Sequence, residues 1–158
     1  MRSAALVLQR EAAFRWAGLP HESVVSILTK ARFDVDIRLA LRRRDFRPYA
    51  AADAVVLGMA RRETPLLPPS EEGAFAAFVR LGFGRGRESL RKNFSPVTPY
   101  ERFREIARQH NLPLDVTPSE TPLGAWLALW EASKAQRGTV YSDHDHARSR
   151  PRPPRSRQ

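Results

Sequence analysis

The sequence predicts an α/β unit followed by an all-helical unit and a polar, arginine-rich tail. Three observations carry this. Residues 33–41, FDVDIRLAL, alternate between apolar and polar, the period of a strand with one buried face. Residues 53–62, DAVVLGMARR, hold a short continuous apolar run, the pattern of a more fully buried strand. Over residues 70–134 apolar residues recur at helical spacing between glycines and prolines, with no good strand.

Taken in order, residues 4–17, AALVLQREAAFRWA, read as a helix, because Ala5, Leu8, Ala12 and Trp16 recur at three- to four-residue spacing and Gly18 and Pro20 stop it. Ser23 caps a second short helix through Lys30. In residues 33–41, Phe33, Val35, Ile37, Leu39 and Leu41 face one way and Asp34, Asp36 and Arg38 the other. RRRDFRPYAA is a basic connection to the buried strand. ETPLLPPS is a joint, and Ser70 with Glu71 and Glu72 opens a helix carrying Phe75, Phe78, Val79 and Leu81 as its apolar stripe. Thr98, Pro99 and Glu101 start another, with Phe103, Ile106 and Ala107 inward, and Leu123, Trp126, Leu127 and Trp130 form the last apolar face. The division is therefore residues 1–62, a joint at 63–69, a helical unit at 70–136 and a disordered basic tail at 137–158, where RSRPRPPRSR cannot bury a core.

Charge bounds the partner. The chain has 158 residues with 27 Lys+Arg against 17 Asp+Glu, a net charge of +10, and its only lysines are Lys30, Lys92 and Lys134. Such a surface favours a polyanion, most often nucleic acid, with solubility and a membrane surface as the other uses of charge. Without cysteine there are no disulfides and no thiolate metal sites. No apolar run approaches the ~18 residues of a membrane span. The start, MRSAALVLQREAAF, lacks a signal peptide's apolar length. The chain reads as a soluble cytoplasmic protein.

The stretch LGFGRGRESLRKNF offers either a phosphate-cradling loop or a basic elbow. A dinucleotide fingerprint needs a strand before its glycines, whereas EEGAFAAFVRL is helix-like, so Gly82 reads as a helix C-cap. Arg80, Arg85, Arg87, Arg91 and Lys92 surround the elbow, with guanidinium groups suited to bidentate phosphate contacts. The alternative is a solvated basic face. NLPL at residues 111–114 has no ring at its fourth position and follows a helix, so it reads as a helix–helix connection. DHDH at residues 143–146 offers two imidazoles and two carboxylates but no further shell, and is not assigned as a metal site.

The segment FDVDIRLALRRRDFRPYAAADAVVLGMARR carries a resemblance. Phe46, Pro48, Asp53, Ala54 and Val55 follow the Phe-x-Pro…Asp-small-Val pattern of the ribosomal RNA adenine dimethylases, which comprise housekeeping small-subunit enzymes and macrolide-resistance Erm-type enzymes. Gln9, Glu11 and Ala13 are similar to the family's Gln-x-Glu-x-Ala helix, and FVRLGFGRGRESLRKNF to the basic elbow opening its C-terminal domain. The resemblance covers roughly residues 4–132 in order and spacing. Ala50 stands where the family usually has a second proline, which implies a less rigid loop. The RESLRKNF run leans toward the resistance branch.

The resemblance implies that residues 1–62 are the last strands of a Rossmann-like methyltransferase sheet and residues 70–136 a helical RNA-binding domain. In the family, S-adenosylmethionine is the methyl donor, and the target adenine leaves its stack to reach it. Phe46 would stack on the flipped base, with Pro48 fixing the loop. Arg42, Arg43, Arg44, Arg80, Arg85, Arg87, Arg91 and Lys92 would neutralise ribosomal RNA phosphates. The family's cofactor-binding motifs precede the Gln-x-Glu helix. The expectation is therefore a C-terminal part, by truncation or a misassigned start, that binds ribosomal RNA, holds no S-adenosylmethionine by itself and is inactive alone. No catalytic, cofactor or metal residue is assigned. Three readings stay open: such a part of a methyltransferase; a non-catalytic RNA-binding module or complement to a separate N-terminal half; and a basic helical DNA-binding protein.

Overall fold

A computed structural model describes residues 3–84 and 88–148, with side chains described to residue 136. The order is β1 (Ser3–Gln9), α1 (Arg10–Ala17), α2 (Val24–Arg32), β2 (Phe33–Leu41), β3 (Ala54–Arg61), α3 (Glu72–Phe83), α4 (Leu90–Phe94), α5 (Tyr100–Gln109) and α6 (Leu123–Arg148). Short 3-10 turns lie at Arg43–Asp45, Pro69–Glu71 and Pro118–Glu120. The strands form one antiparallel sheet in the order β1-β3-β2. The strand with the longest apolar run, β3, is central.

The first correction concerns residues 4–17. Residues 3–9 are strand, and the helix begins only at Arg10. The same letters carry a period of two: Ala4, Leu6 and Leu8 are half-buried while Ser3, Ala5, Val7 and Gln9 are exposed. Pairing along β3, with Leu6 opposite Leu57 and Leu8 opposite Val55, overrides the helix propensity of an Ala/Leu run. Of the expected stripe, Ala5, Ala12 and Trp16 are exposed; Ala13 is the buried residue of α1.

A second correction falls in β2. Ile37 pairs with Leu57, but Leu39 pairs with Val56, a register shift at Arg38. One extra residue reverses the alternation. Phe33, Val35 and Ile37 thus share the covered face with Leu6, Leu8, Val55, Leu57, Met59 and α1. Leu39 and Leu41 pair with Val56 and Ala54 on the opposite face, and Leu39 is 55% exposed. There Asp36 and Arg38 pair at 3.1 Å and lie over Gly58, where a side chain would strike both.

The larger core is aromatic. Phe75, Phe78, Phe94, Trp126 and Trp130 are buried together; Phe78 stacks on Phe94 at 4.3 Å, and Phe83, half-buried, stacks on Trp126 at 5.3 Å. Each indole N–H has a partner, as buried Trp requires: Trp126 donates to the Thr121 carbonyl at 3.1 Å and Trp130 to Glu71 Oε2 at 2.8 Å. Phe103, Ile106 and Ala107 point inward as expected, with Leu123 and Leu127 half-buried beside them. Helix α2, capped by Ser23 as expected (its hydroxyl accepts from Ser26 N–H at 3.1 Å), sends Ile27 and Ala31 into this same core. A Glu22 N–H bond of 2.8 Å to the Ser119 carbonyl and an Arg32–Glu72 pair at 3.3 Å tie the two parts further.

Four expectations in the helical part change. Gly82 lies inside α3, not at its end; a Cβ there would stand 2.8 Å from the Phe94 ring and closer to Trp126, so its lack of a side chain serves packing. Leu81 is 40% exposed and lies off the stripe. Helix α5 does open after Thr98 and Pro99 as expected, with the Thr98 side chain buried and its hydroxyl without a partner among the described residues. Ser70 sits in the Pro69–Glu71 turn, and α3 starts at Glu72 without a side-chain cap. Helix α6 continues through Arg148, into the stretch read as tail; a packed helix extends at little further cost in nucleation. Residues 149–158 lie outside the described residues.

Candidate nucleic-acid interface

The connection between β2 and β3 is fixed by two aspartates that act on backbone. Asp45 Oδ2 accepts the Arg42 N–H at 2.8 Å, and Asp53 Oδ1 accepts the Arg43 N–H at 3.0 Å. The Ala50 N–H donates to the Arg43 carbonyl at 3.2 Å. These bonds hold the turn while leaving the Arg42, Arg43 and Arg44 side chains exposed and, among the described residues, without an ion pair. A cavity of about 580 Å³ is lined by these arginines, Tyr49, Ala50 and Asp53.

Phe46 is half-buried and Pro48 exposed. Neither lines that cavity. Tyr49 does, with 68% of its surface exposed, and the Arg47 guanidinium lies 5.1 Å from its ring centre. On the helical part, Arg80 is exposed near the end of α3, and Arg91 and Lys92 are exposed on α4. The Arg91 guanidinium lies 5.8 Å from the Tyr100 ring centre, and a smaller cavity of about 290 Å³ is lined by Arg91, Tyr100, Leu114 and Asp115. Arg85 and Arg87 lie outside the described residues.

Not every arginine is equally available. On α5, Arg104 pairs with Glu101 at 2.6 Å and Arg102 pairs with Glu105. Such i,i+3 pairs neutralise their own helix face. Among the described residues the structure thus separates unpaired arginines at residues 42–44 from paired ones at residues 102 and 104. Tyr49 and Tyr100 escaped the sequence reading; the signal was present, since each follows a proline.

Two features of the described residues bear on S-adenosylmethionine. No described glycine stands between a strand and a helix start: Gly18, at φ +74°, ends α1, Gly58 is within β3, and Gly82 is packed inside α3. The larger cavity is arginine-lined, and like charge disfavours a sulfonium there. The Asn111–Leu114 turn follows α5, as expected for a helix connection. Among the described residues no group of His, Asp or Glu is placed to hold a metal; the His144 and His146 side chains lie outside them. No described helix is long and apolar enough to cross a membrane.

No protein-family model matches the sequence. The chain is 32% identical over 136 residues to an rRNA methyltransferase of Streptomyces thermotolerans, covering 83% of this chain and 44% of that one. It is 30% identical over 126 residues to a ribosomal RNA small subunit methyltransferase A of Burkholderia sp, covering 78% and 44%. A third relative, an rRNA adenine N-6-methyltransferase of Streptomyces fradiae, is 29% identical over 153 residues, covering 96% and 44%. The chain therefore spans under half the length of these curated relatives. Its fold matches the 23S rRNA methyltransferase ErmE with a TM-score of 0.74 at 21% identity, over 84% of this chain and 55% of that one. It also matches a dimethyladenosine transferase of Plasmodium falciparum, with a TM-score of 0.58 at 17% identity, over 82% and 56%.

Proposed function

We infer that this chain, which belongs to the ribosomal RNA adenine methyltransferase family and matches its C-terminal part, is the part that holds ribosomal RNA. The observation carrying this reading is the turn at residues 42–53, whose carboxylates are engaged by backbone N–H groups while its three consecutive arginines stay exposed and, among the described residues, unpaired. Phosphate contacts of that kind position RNA without reading its sequence. Arg80, Arg91 and Lys92 extend the basic surface, and Phe46 with Pro48 forms the stacking element for the target adenine. S-adenosylmethionine belongs to the whole family enzyme, and no step is assigned to it on the residues described here. The unpaired edge of β1 takes a methyltransferase half of the kind that makes up the unmatched length of the relatives.

The test is RNA affinity as a function of salt. Each phosphate contact contributes about 0.7 to the slope of log affinity against log salt for single strands. Replacing Arg42, Arg43 and Arg44 together by Ala should flatten the slope by about 2 on a transcribed ribosomal RNA fragment. Replacing Arg102 and Arg104 should change it far less. Equal losses in the two variants, or a wild type without RNA affinity, would overturn the reading.

A further inference from the structure

The cavity at the connection from β2 to β3 holds more than charge. Its lining combines three arginines that are unpaired among the described residues with the ring of Tyr49, 68% exposed. An aromatic side chain held in water at a loop costs apolar exposure unless something covers it. Arg47 lies beside the ring at 5.1 Å. Phe46 and Pro48, which carry the stacking role in the reading above, do not line this cavity.

We propose that this cavity is a separate seat for one unpaired nucleotide flanking the target, with Tyr49 as the stacking face for its base and Arg42 and Arg44 on its phosphate. The inference rests on the RNA-holding reading and adds a site to it. The chemistry is that of single-strand binding: a basic groove follows the backbone while an aromatic ring takes a base of any identity, since every base has a π-face. A duplex offers the arginines its phosphates but keeps its bases stacked, so it gains nothing from Tyr49. An acidic peptide also needs only the charge. The ring therefore favours a single-stranded nucleic acid over both. The framework is suited to the task because the aspartates hold backbone: Asp45 and Asp53 fix the turn through the Arg42 and Arg43 N–H groups rather than quenching the guanidiniums.

The experiment measures anisotropy of a labelled short single-stranded oligoadenylate and of a labelled blunt RNA duplex. It compares the full chain with its Tyr49→Phe and Tyr49→Ala variants, each checked for unchanged circular dichroism. Tyr49→Ala should weaken single-strand binding about five- to 150-fold, the range for one lost base–aromatic stack, and leave duplex binding and the salt slope unchanged. Tyr49→Phe should retain wild-type affinity, because the stack needs the ring and not the hydroxyl. Equal loss on both RNAs, no loss on either, or competition by polyglutamate as strong as by oligoadenylate would overturn the seat while leaving the arginine reading intact. A wild type that binds neither RNA would overturn both.

Discussion

The sheet part and the helical part bury their residues very differently. Among the described residues, sixteen buried apolar side chains form the aromatic core, against four in the sheet's own core. The aromatic core draws its residues from α2, α3, α4, α5 and α6, with Leu67 and Val116 from the loops. The sheet is covered on one face by α1, while across the other face Val7 and Leu39 are 59% and 55% exposed beside Val56. Its two edges differ as well. Asp34, Asp36 and Arg38 charge β2, a common protection for an edge strand, whereas β1 carries no charge between Ser3 and Gln9. The comparison teaches that the aromatic core, to which α2 also contributes, is enclosed, whereas one face of the sheet stays open.

The comparison breaks most sharply at Trp126, which is fully buried against Phe78, Phe83 and Phe94. Trp126→Ala should cost about 3–5 kcal/mol, seen as a fall in the urea midpoint. A loss under about 1 kcal/mol would mean that the aromatic cluster is not the stabilising centre.

Gly82→Ala is the next test, because two principles oppose each other there. In an open helix the substitution stabilises by about 0.5–1 kcal/mol. Against the Trp126 and Phe94 rings overpacking should destabilise by about 1–3 kcal/mol. The sign of the change in thermal midpoint decides between packing and helix propensity.

A pH effect should follow at Glu71. Its carboxyl is held below the ordinary 4.5 by hydrogen bonds from Lys134, at 2.8 and 3.0 Å, and from Trp130. A lowered folded-state value means that the contribution is present above about 4.5 and is lost as pH falls through the folded value. Lys134 is raised above 10.5, first by Glu131 and then by Glu71, so its side is lost only as pH climbs past that range. The urea midpoint of wild type minus Glu71→Gln should therefore be flat near neutrality and shrink below about pH 4.5. A difference that stays constant into acid would remove Glu71 from the account.

The smallest folding effect belongs to the open face. Val7→Lys should change monomer stability by less than about 0.5 kcal/mol. It should also reduce concentration-dependent self-association, measured by sedimentation, because a charge beside an apolar edge discourages strand pairing. Destabilisation as large as that of a buried apolar truncation would show that the face is already covered.

The sequence by itself determined the sign and placement of the charge, the buried character of β3, the Ser23 cap and the apolar faces of α5 and α6. Each of these is local: a period, a cap or a run of like residues states it without reference to a partner segment. Residues 3–9 belong to the other class. Their letters satisfy both a helical and a strand period, and only pairing with β3 selects the strand. The shift at Arg38, which turns Leu39 to the open face, is likewise invisible in an alternation that the sequence continues unbroken. Gly82 reads as a helix C-cap until Trp126, forty-four residues away in sequence, is brought against it. Which arginines are free depended on where carboxylates fall in space: Glu101 and Glu105 meet Arg104 and Arg102, while Asp45 and Asp53 turn to backbone N–H groups. Composition counts charges, but only tertiary structure decides which of them remain unpaired, because Coulomb attraction and hydrogen bonding act over a few ångströms of space and not along the chain.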